Sequence, residues 1–252
     1  MHPRLIAATI LALALATCQR KGTFTEPLTG LQFVHIPAGQ FMMRSPSQEL
    51  TRRTDETLHR VEIAHDFQMS TTEVTQAQWK TVMGYKPSFF RDGPTTAPVE
   101  RVSWNEVQQF LARLNARHEG HFRLPTEAEW EYACRAGTST AYSTGERLST
   151  NEANYDGRYP LPGQAKGTFR GRTTPVASFP PNRWGLYDMH GNVWEWCADE
   201  YCPYPEKRCG SRYKVIRGGS WYFGADSARS ALRYTHEPQL RGFSIGFRVV
   251  RE

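Results

Sequence analysis

Apolar positions in this chain recur with two periods. Three short runs carry helical spacing, and each opens on a hydroxyl residue followed three positions later by Gln or Glu. That is the reciprocal capping box, in which the hydroxyl and the amide or carboxylate satisfy each other's backbone N–H groups. Thr75-Gln76-Ala77-Gln78 leads into Trp79, Val82 and Met83 on one face, with Gly84 as the stop. Ser103-Trp104-Asn105-Glu106 opens a run in which Val107, Phe110, Leu111 and Leu114 follow the i, i+3, i+4, i+7 stripe. Thr126-Glu127-Ala128-Glu129 leads into Trp130, Ala133 and Cys134 and ends near Gly137. Strands are predicted at Phe33 to Ile36 before Pro37-Ala38-Gly39, at the alternating His59 to Ile63, at Tyr213 to Ile216 and at Gly246 to Val250. Residues 138–184 are rich in Gly, Pro, Asn, Ser and Thr with little periodicity. A stretch that long is no passive connector; if ordered, it is functional or held by ions and side chains. No internal repeat and no Gly/Ser linker divides the chain.

The start of the chain reads differently. Arg4 precedes an uncharged run from Leu5 to Thr17, too short to span a bilayer and matching the apolar segment of a secretory signal. Two cleavage readings compete. Ala14-Leu15-Ala16 offers an A-x-A site, whereas Leu15-Ala16-Thr17-Cys18 resembles a bacterial lipobox with Cys18 as the lipidated residue. In the second reading Gln19, rather than Asp, follows the lipidated cysteine and favours outer-membrane sorting. Residues 1–17 are thus assigned as a signal peptide, 18–30 as a short linker and 31–252 as a single domain, placed in the bacterial cell envelope as a periplasmic or outer-membrane lipoprotein.

Composition narrows the class without naming a function. With 39% hydrophobic, 22% charged and 12% aromatic residues, the chain is neither disordered, collagenous nor multispanning. Its net charge of +6 is spread along the sequence, which favours solubility and gives no nucleic-acid footprint. Seven Trp, 11 Tyr and 13 Phe beside 20 Gly and 16 Pro suggest irregular segments pinned by rings. The five cysteines are Cys18, Cys134, Cys197, Cys202 and Cys209; lipidating Cys18 leaves four in an oxidising compartment. Cys202 and Cys209 bracket a Pro-rich loop and suit a local disulfide, while Cys134 and Cys197 either pair or stay buried thiols. The histidines form no H-E-x-x-H, since His118-Glu119-Gly120-His121 has the wrong spacing. No G-x-S-x-G elbow, Walker loop or G-x-G-x-x-G is present either, so the corresponding acyl-transfer, P-loop and Rossmann chemistries lose support.

Seven strings in order resemble the formylglycine-generating enzyme family, also called the sulfatase-modifying factor family, whose fold is related to C-type lectins. They begin with Ile36-Pro37-Ala38-Gly39-Gln40-Phe41-Met42-Met43, Thr72-Glu73-Val74-Thr75, Pro98-Val99-Glu100-Arg101-Val102-Ser103-Trp104 and the run from Arg123 to Ala133. Gly185 to Trp196, Arg217-Gly218-Gly219-Ser220-Trp221 and Gly246-Phe247-Arg248 complete the series. The resemblance implies an α+β, irregular, loop-rich domain with short helices and small antiparallel sheets. It does not fix a reaction, because the family holds oxidative maturation proteins, sulfoxide-forming enzymes and binding or scaffold proteins.

The family's oxidase holds Cu(I) on two cysteines shortly after the Gly-Gly-Ser string. Here Phe223 and Ala228 stand near those positions and no cysteine follows Cys209, so no copper is expected and no catalytic residue is assigned. Carried over residue by residue, the pattern implies one structural calcium on Asp188 and Glu195 side chains with Gly191 and Val193 carbonyls. A second family site would use Asn154 and the Tyr155 carbonyl, but residues 167–170 lack its Asp. The cleft would lie at Trp194, Ser220 and Phe223, walled by the loop from Tyr222 to Gly242. Arg229, Arg233, Tyr234, His236, Glu237 and Arg241 on that loop would offer contacts to an anionic or peptidic ligand. The expectation is a monomeric exported accessory or maturation factor that binds a peptide or small molecule, attached to the membrane if Cys18 is lipidated. If enzymatic, it would be an oxidoreductase-type maturation activity. The alternatives are a non-catalytic envelope scaffold lipoprotein, and an oxidase using displaced cysteines.

Overall fold

A computed structural model describes residues 23–117, 120–204, 206 and 208–252. The expected signal peptide and Cys18 lie outside them. In chain order the elements are β1 (Phe24–Thr25), β2 (Gln32–Ile36), β3 (Gly39–Met43), β4 (His59–Ile63), β5 (Phe67–Ser70), α1 (Gln76–Met83), α2 (Trp104–Asn115) and β6 (Phe122–Arg123). They continue with α3 (Glu127–Arg135), β7 (Trp194–Glu200), β8 (Lys214–Arg217), a 3-10 turn at Ala225–Ala228, β9 (Arg233–His236), β10 (Ile245–Gly246) and β11 (Val250–Arg251).

All three helices begin at the expected hydroxyl, and each capping box is complete: Thr75 with Gln78, Ser103 with Glu106, Thr126 with Glu129. Their apolar stripes turn inward, burying Trp79 and Val82 of α1, Phe110 and Leu114 of α2, and Trp130 and Cys134 of α3. The strands form a five-stranded sheet in the order β1-β2-β5-β11-β6, a four-stranded sheet in the order β10-β7-β8-β9, and the β3-β4 hairpin pair. The architecture is the α+β, loop-rich single domain that the sequence implied. Strand β1 falls inside the segment expected to be a linker: Phe24 pairs with Phe33 and its ring packs on it at 5.8 Å. The sheet therefore takes in residues before position 31.

The carboxyl end departs from the single strand expected over Gly246 to Val250. β10 pairs with β7 in one sheet and β11 with β5 and β6 in the other. The intervening Phe247, Arg248 and Val249 are fully buried, because the chain crosses the core from sheet to sheet there. Its backbone bonds go to separate partners, Val74 N–H to the Phe247 carbonyl and Ser70 N–H to the Val249 carbonyl.

Two large apolar clusters sit against the sheets, one around Phe33, Trp79, Phe110 and Trp196, the other around Ile36, Met69, Trp130 and Val215. A third holds the aperiodic stretch in place. Tyr142, Leu148, Tyr155 and Leu161 from that stretch pack on Ala225 and Ala228 of the 3-10 turn. Burying these rings and methyl groups offsets the entropy of ordering a segment with almost no regular backbone.

Candidate functional site

The 3-10 turn and β9 bring Phe223 and Tyr234 beside Trp194 at the amino end of β7. Trp194, Phe223, Asp226, Ser227, Leu232 and Tyr234 line a pocket of about 240 Å³, with Thr51 and Arg53 from the β3–β4 connection on the opposite side. The Phe223 ring stands edge-on to Trp194 at 5.7 Å, Tyr234 lies 5.8 Å from Trp194, and the Arg53 guanidinium sits 6.0 Å over Tyr234. Trp194 is buried while Phe223 and Tyr234 are each about 40% exposed, so the floor is fixed and the rim meets solvent. The chemistry on offer is ring faces, one carboxylate, three hydroxyls and one guanidinium. That set suits recognition of a small or extended ligand.

The pocket wall is anchored from behind. His190 donates from Nδ1 to the Ala228 carbonyl at 2.8 Å, and its Nε2 accepts from the Ser143 N–H at 2.9 Å, which fixes the tautomer. Burial pushes the His190 imidazole down to about 4, so it stays neutral. Tyr142 donates its hydroxyl to the Ala225 carbonyl at 2.7 Å. Gly219, at φ +75°, lies against the turn so closely that a Cβ there would sit 2.9 Å from Ala228 Cα.

Of the polar residues expected at the cleft, Tyr234 lines this pocket, whereas Arg229, Arg233, Ser220 and His236 do not. Arg229 is fully buried and forks onto Glu56 at 2.7 and 2.8 Å, with Glu49 as a second partner. It reaches the pocket only indirectly, donating to the Thr51 carbonyl at 3.0 Å. Arg233 forks onto Glu127 at 2.8 and 3.1 Å and donates to the Cys202 carbonyl at 2.7 Å. Ser220 is buried beneath the turn, where its carbonyl accepts from the Phe223 N–H at 3.2 Å. His236 is half-buried on β9, its ring 5.8 Å from Tyr234, and burial pushes its pKa down.

Of the residues carried over as calcium ligands, Glu195 is paired in the interior with a cation of the protein itself. Glu195 accepts from Arg248 Nε at 2.6 Å and Nη2 at 2.7 Å, and from Trp130 Nε1 at 2.6 Å. Both carboxylate oxygens are occupied, and the guanidinium supplies the positive charge. Asp188, at φ +56°, accepts from the Ala177 N–H at 2.7 Å, and burial raises its carboxyl to about 6. Burial, with Asp188 and Glu195 close by, pushes Glu73 well above the ordinary carboxylate range. Gly191 and Val193 serve the backbone frame, and Gly191 N–H donates to the Gly218 carbonyl at 2.7 Å. Asn154 donates to the Arg172 carbonyl and to Asn192 Oδ1, while the Tyr155 hydroxyl donates to the Leu148 carbonyl.

The expectation of one calcium and no copper is corrected. Glu200, Cys202 and Cys209 place a carboxylate oxygen and two sulfurs all within 4.8 Å of one another, a grouping compatible with a metal ion that the expectation did not include. The two sulfurs are joined as the expected local disulfide, with Cα atoms 5.8 Å apart. Cys134 and Cys197 remain free and buried, and burial pushes the Cys134 thiol up to about 12 and that of Cys197 well above its ordinary value. Neither lines the pocket at Trp194.

A second cavity, of about 1070 Å³, was missed by the sequence reading. It opens between the β3–β4 pair, the start of α3 and the end of β7, and Arg44, His59, Glu127, Asp199, Cys202 and Arg233 contribute to its lining. Burial alone would raise the Glu127 carboxyl, but Arg44, Arg217 and Arg233 together hold it below its ordinary value. The acidic end of the Trp194-Glu195-Trp196-Cys197-Ala198-Asp199-Glu200 run was the one local signal of this cavity.

Comparison with known proteins places this geometry among relatives. The family described as the sulfatase-modifying factor enzyme 1-like domain matches residues 20–252. The Mus musculus protein named inactive C-alpha-formylglycine-generating enzyme 2 is 39% identical over 159 residues, covering 60% of this chain and 48% of its own length. The formylglycine-generating enzyme of Streptomyces coelicolor is 35% identical over 197 residues, covering 71% of this chain and 60% of its own. This chain spans about half the length of the first two curated relatives it matches, both inactive C-alpha-formylglycine-generating enzyme 2 proteins. Among solved structures, PvdO from Pseudomonas aeruginosa superposes with a TM-score of 0.78 at 31% identity, over 92% of this chain and 98% of that one.

Proposed function

This chain belongs to the sulfatase-modifying factor enzyme 1-like family, and we propose that it serves there as an accessory or maturation-type binding protein rather than a formylglycine-forming oxidase. One observation carries the reading: Phe223 and Ala228 stand where the resemblance places the reactive thiols, and Phe223 packs edge-on to Trp194 as part of the pocket wall. A phenyl ring and a methyl group offer no nucleophile and no metal ligand. Trp194 and Leu232 give the pocket an apolar floor with Asp226, Ser227, Thr51 and Arg53 around it, suited to a peptide segment or a small metabolite. The likeness to a protein named as an inactive formylglycine-generating enzyme supports the same reading. We place the protein in the bacterial envelope as a monomer, exported by residues 1–17 and held at the membrane if Cys18 is lipidated.

A peptide and metabolite screen followed by NMR tests this. Bound ligands are expected to shift the Phe223, Asp226 and Tyr234 signals, and Asp226→Ala is expected to weaken polar ligands. Conversion of a cysteine peptide to the aldehyde by the purified chain with copper and oxygen overturns the proposal. A second reading, a scaffold surface, is favoured by the exposed rings of Phe89, Tyr222 and Phe243, in which Phe243 lies 6.2 Å from Phe89 and 5.4 Å from Tyr222. Shifts confined to those three rings, with the pocket silent, would select it.

A further inference from the structure

The cavity of about 1070 Å³ has sides of different character. Val61 and Ile63, two positions apart on β4 and so on one face, join Met43 of β3 and Phe67 of β5 along one side, where Met43, Ile63 and Phe67 are buried. They make an apolar strip. The first turn of α3 and the last residues of β7 supply the other side, and charge is concentrated there. Eight of the lining residues are acidic and four are arginines, on a chain whose net charge is +6. The sign is reversed locally, which favours a cation.

Most of these charges are already committed. Arg44 and Arg233 both fork onto Glu127, and Arg123 forks onto Glu129 and reaches Glu252 at 2.7 Å. Asp199 and Glu200 are left over. Asp199 accepts from the Glu127 N–H at 2.6 Å and Glu200 from the Cys209 N–H at 3.4 Å, and among the described residues no cation pairs with either. Burial raises the Asp199 carboxyl above its ordinary value, and a cation brought beside it would favour the charged form. We propose that this cavity receives a primary ammonium group on an aliphatic stem, the chemistry shared by a lysine side chain and an alkyl diamine. The stem lies along Met43, Val61 and Ile63, and the ammonium meets Asp199 and Glu200. Sites for drug-sized ligands run to about 1,000 Å³, so a cavity of this size also has room for residues flanking a lysine. It shares no lining residue with the Trp194 pocket and stands or falls independently of it.

Calorimetric titration of the whole mature chain tests the assignment with three probes: a blocked Ala-Lys-Ala peptide, its norleucine counterpart, which keeps the stem and lacks the charge, and cadaverine. The lysine peptide is expected to bind about tenfold more tightly than the norleucine peptide, with methyl NMR shifts at Met43 and Ile63 and the Trp194 indole unmoved. Asp199→Asn, which keeps an acceptor for the Glu127 N–H, and Glu200→Gln are each expected to weaken the lysine peptide about tenfold. Glu146→Gln, the same change of charge at an exposed position outside the cavity, is expected to leave it unaltered. Binding of cadaverine as well supports the proposal with a free amine as sufficient ligand; binding of the lysine peptide alone supports it with a peptide as the source. Equal binding of the lysine and norleucine peptides overturns it, as do equal losses in all three variants or shifts confined to Trp194. So does no binding of any probe at millimolar concentration by a chain whose circular dichroism shows it folded.

Discussion

Arg248 closes a bidentate pair with Glu195 across 53 residues, at 2.6 and 2.7 Å, with both side chains sealed from solvent. The pair ties the carboxyl-terminal crossing to β7, and a guanidinium does there what a divalent cation was expected to do. Removing one partner strands a buried charge. Arg248→Ala should cost about 3–5 kcal/mol in urea unfolding. Chelation with EGTA should leave the wild-type midpoint where it is; a large drop would restore a structural cation.

Two buried groups oppose each other in their pH dependence. His190 titrates at about 4 in the fold against 6.5 unfolded, so the unfolded chain binds the extra proton between them. Its contribution is present above pH 6.5 and lost as pH falls through 4. Asp188 is shifted the other way, to about 6 from 3.8, so its contribution is present below 3.8 and lost as pH rises through 6. Each is worth about 3 kcal/mol over its window. Relative to wild type, Asp188→Asn should lose more stability on acidification from pH 6.5 to 4, and His190→Gln less. Urea midpoints across that range measure both, and slopes unchanged by either substitution would refute the assignment.

Arg229 and Phe223 should separate stability from recognition. Arg229→Ala leaves Glu56 buried without its guanidinium and should lower stability by about 3–5 kcal/mol. Phe223 is 39% exposed, and Phe223→Ala should cost about 1 kcal/mol or less while enlarging the pocket. Thermal unfolding and ligand titration on the two variants check this: the first is expected to fail in the melt, the second only in the titration.

Reduction of the Cys202–Cys209 crosslink frees a loop with a sequence separation of only seven. Short-loop closure predicts a loss of about 2 kcal/mol, visible as a shift in urea midpoint with and without reductant. Buried Cys134 and Cys197 should contribute nothing to that shift, so Cys134→Ser should show the same difference.

What could be read from sequence was what is decided within a few residues. The capping boxes at Thr75, Ser103 and Thr126 are local devices, and all three helices start where those devices lie. Strand β7 was recognised as a motif and not as a strand, because Trp194 to Cys197 are buried on both faces and show no alternation. Charge was legible but its partner was not. Arg229 looked like a ligand contact until Glu49 and Glu56, some 170 to 180 positions earlier, closed around it. Glu195 looked like a metal ligand for the same reason, with Arg248 far along the chain. Of the rings around the smaller pocket, only Trp194 falls within a family string; the larger cavity is assembled from segments distant in sequence, with Asp199 and Glu200 as its one local trace.

The 3-10 turn beside the Trp194 pocket is gripped through main-chain atoms, by His190 and Tyr142 on its carbonyls and by the glycine backbone at Gly219. Side chains at 223, 226 and 227 are thereby released from any duty in holding the wall. Such a site can drift: chemistry can be lost or a new specificity selected by changing a few exposed side chains while the scaffold stays constant. A library randomised at those three positions should yield mostly folded proteins, which makes this turn a natural place to evolve binders.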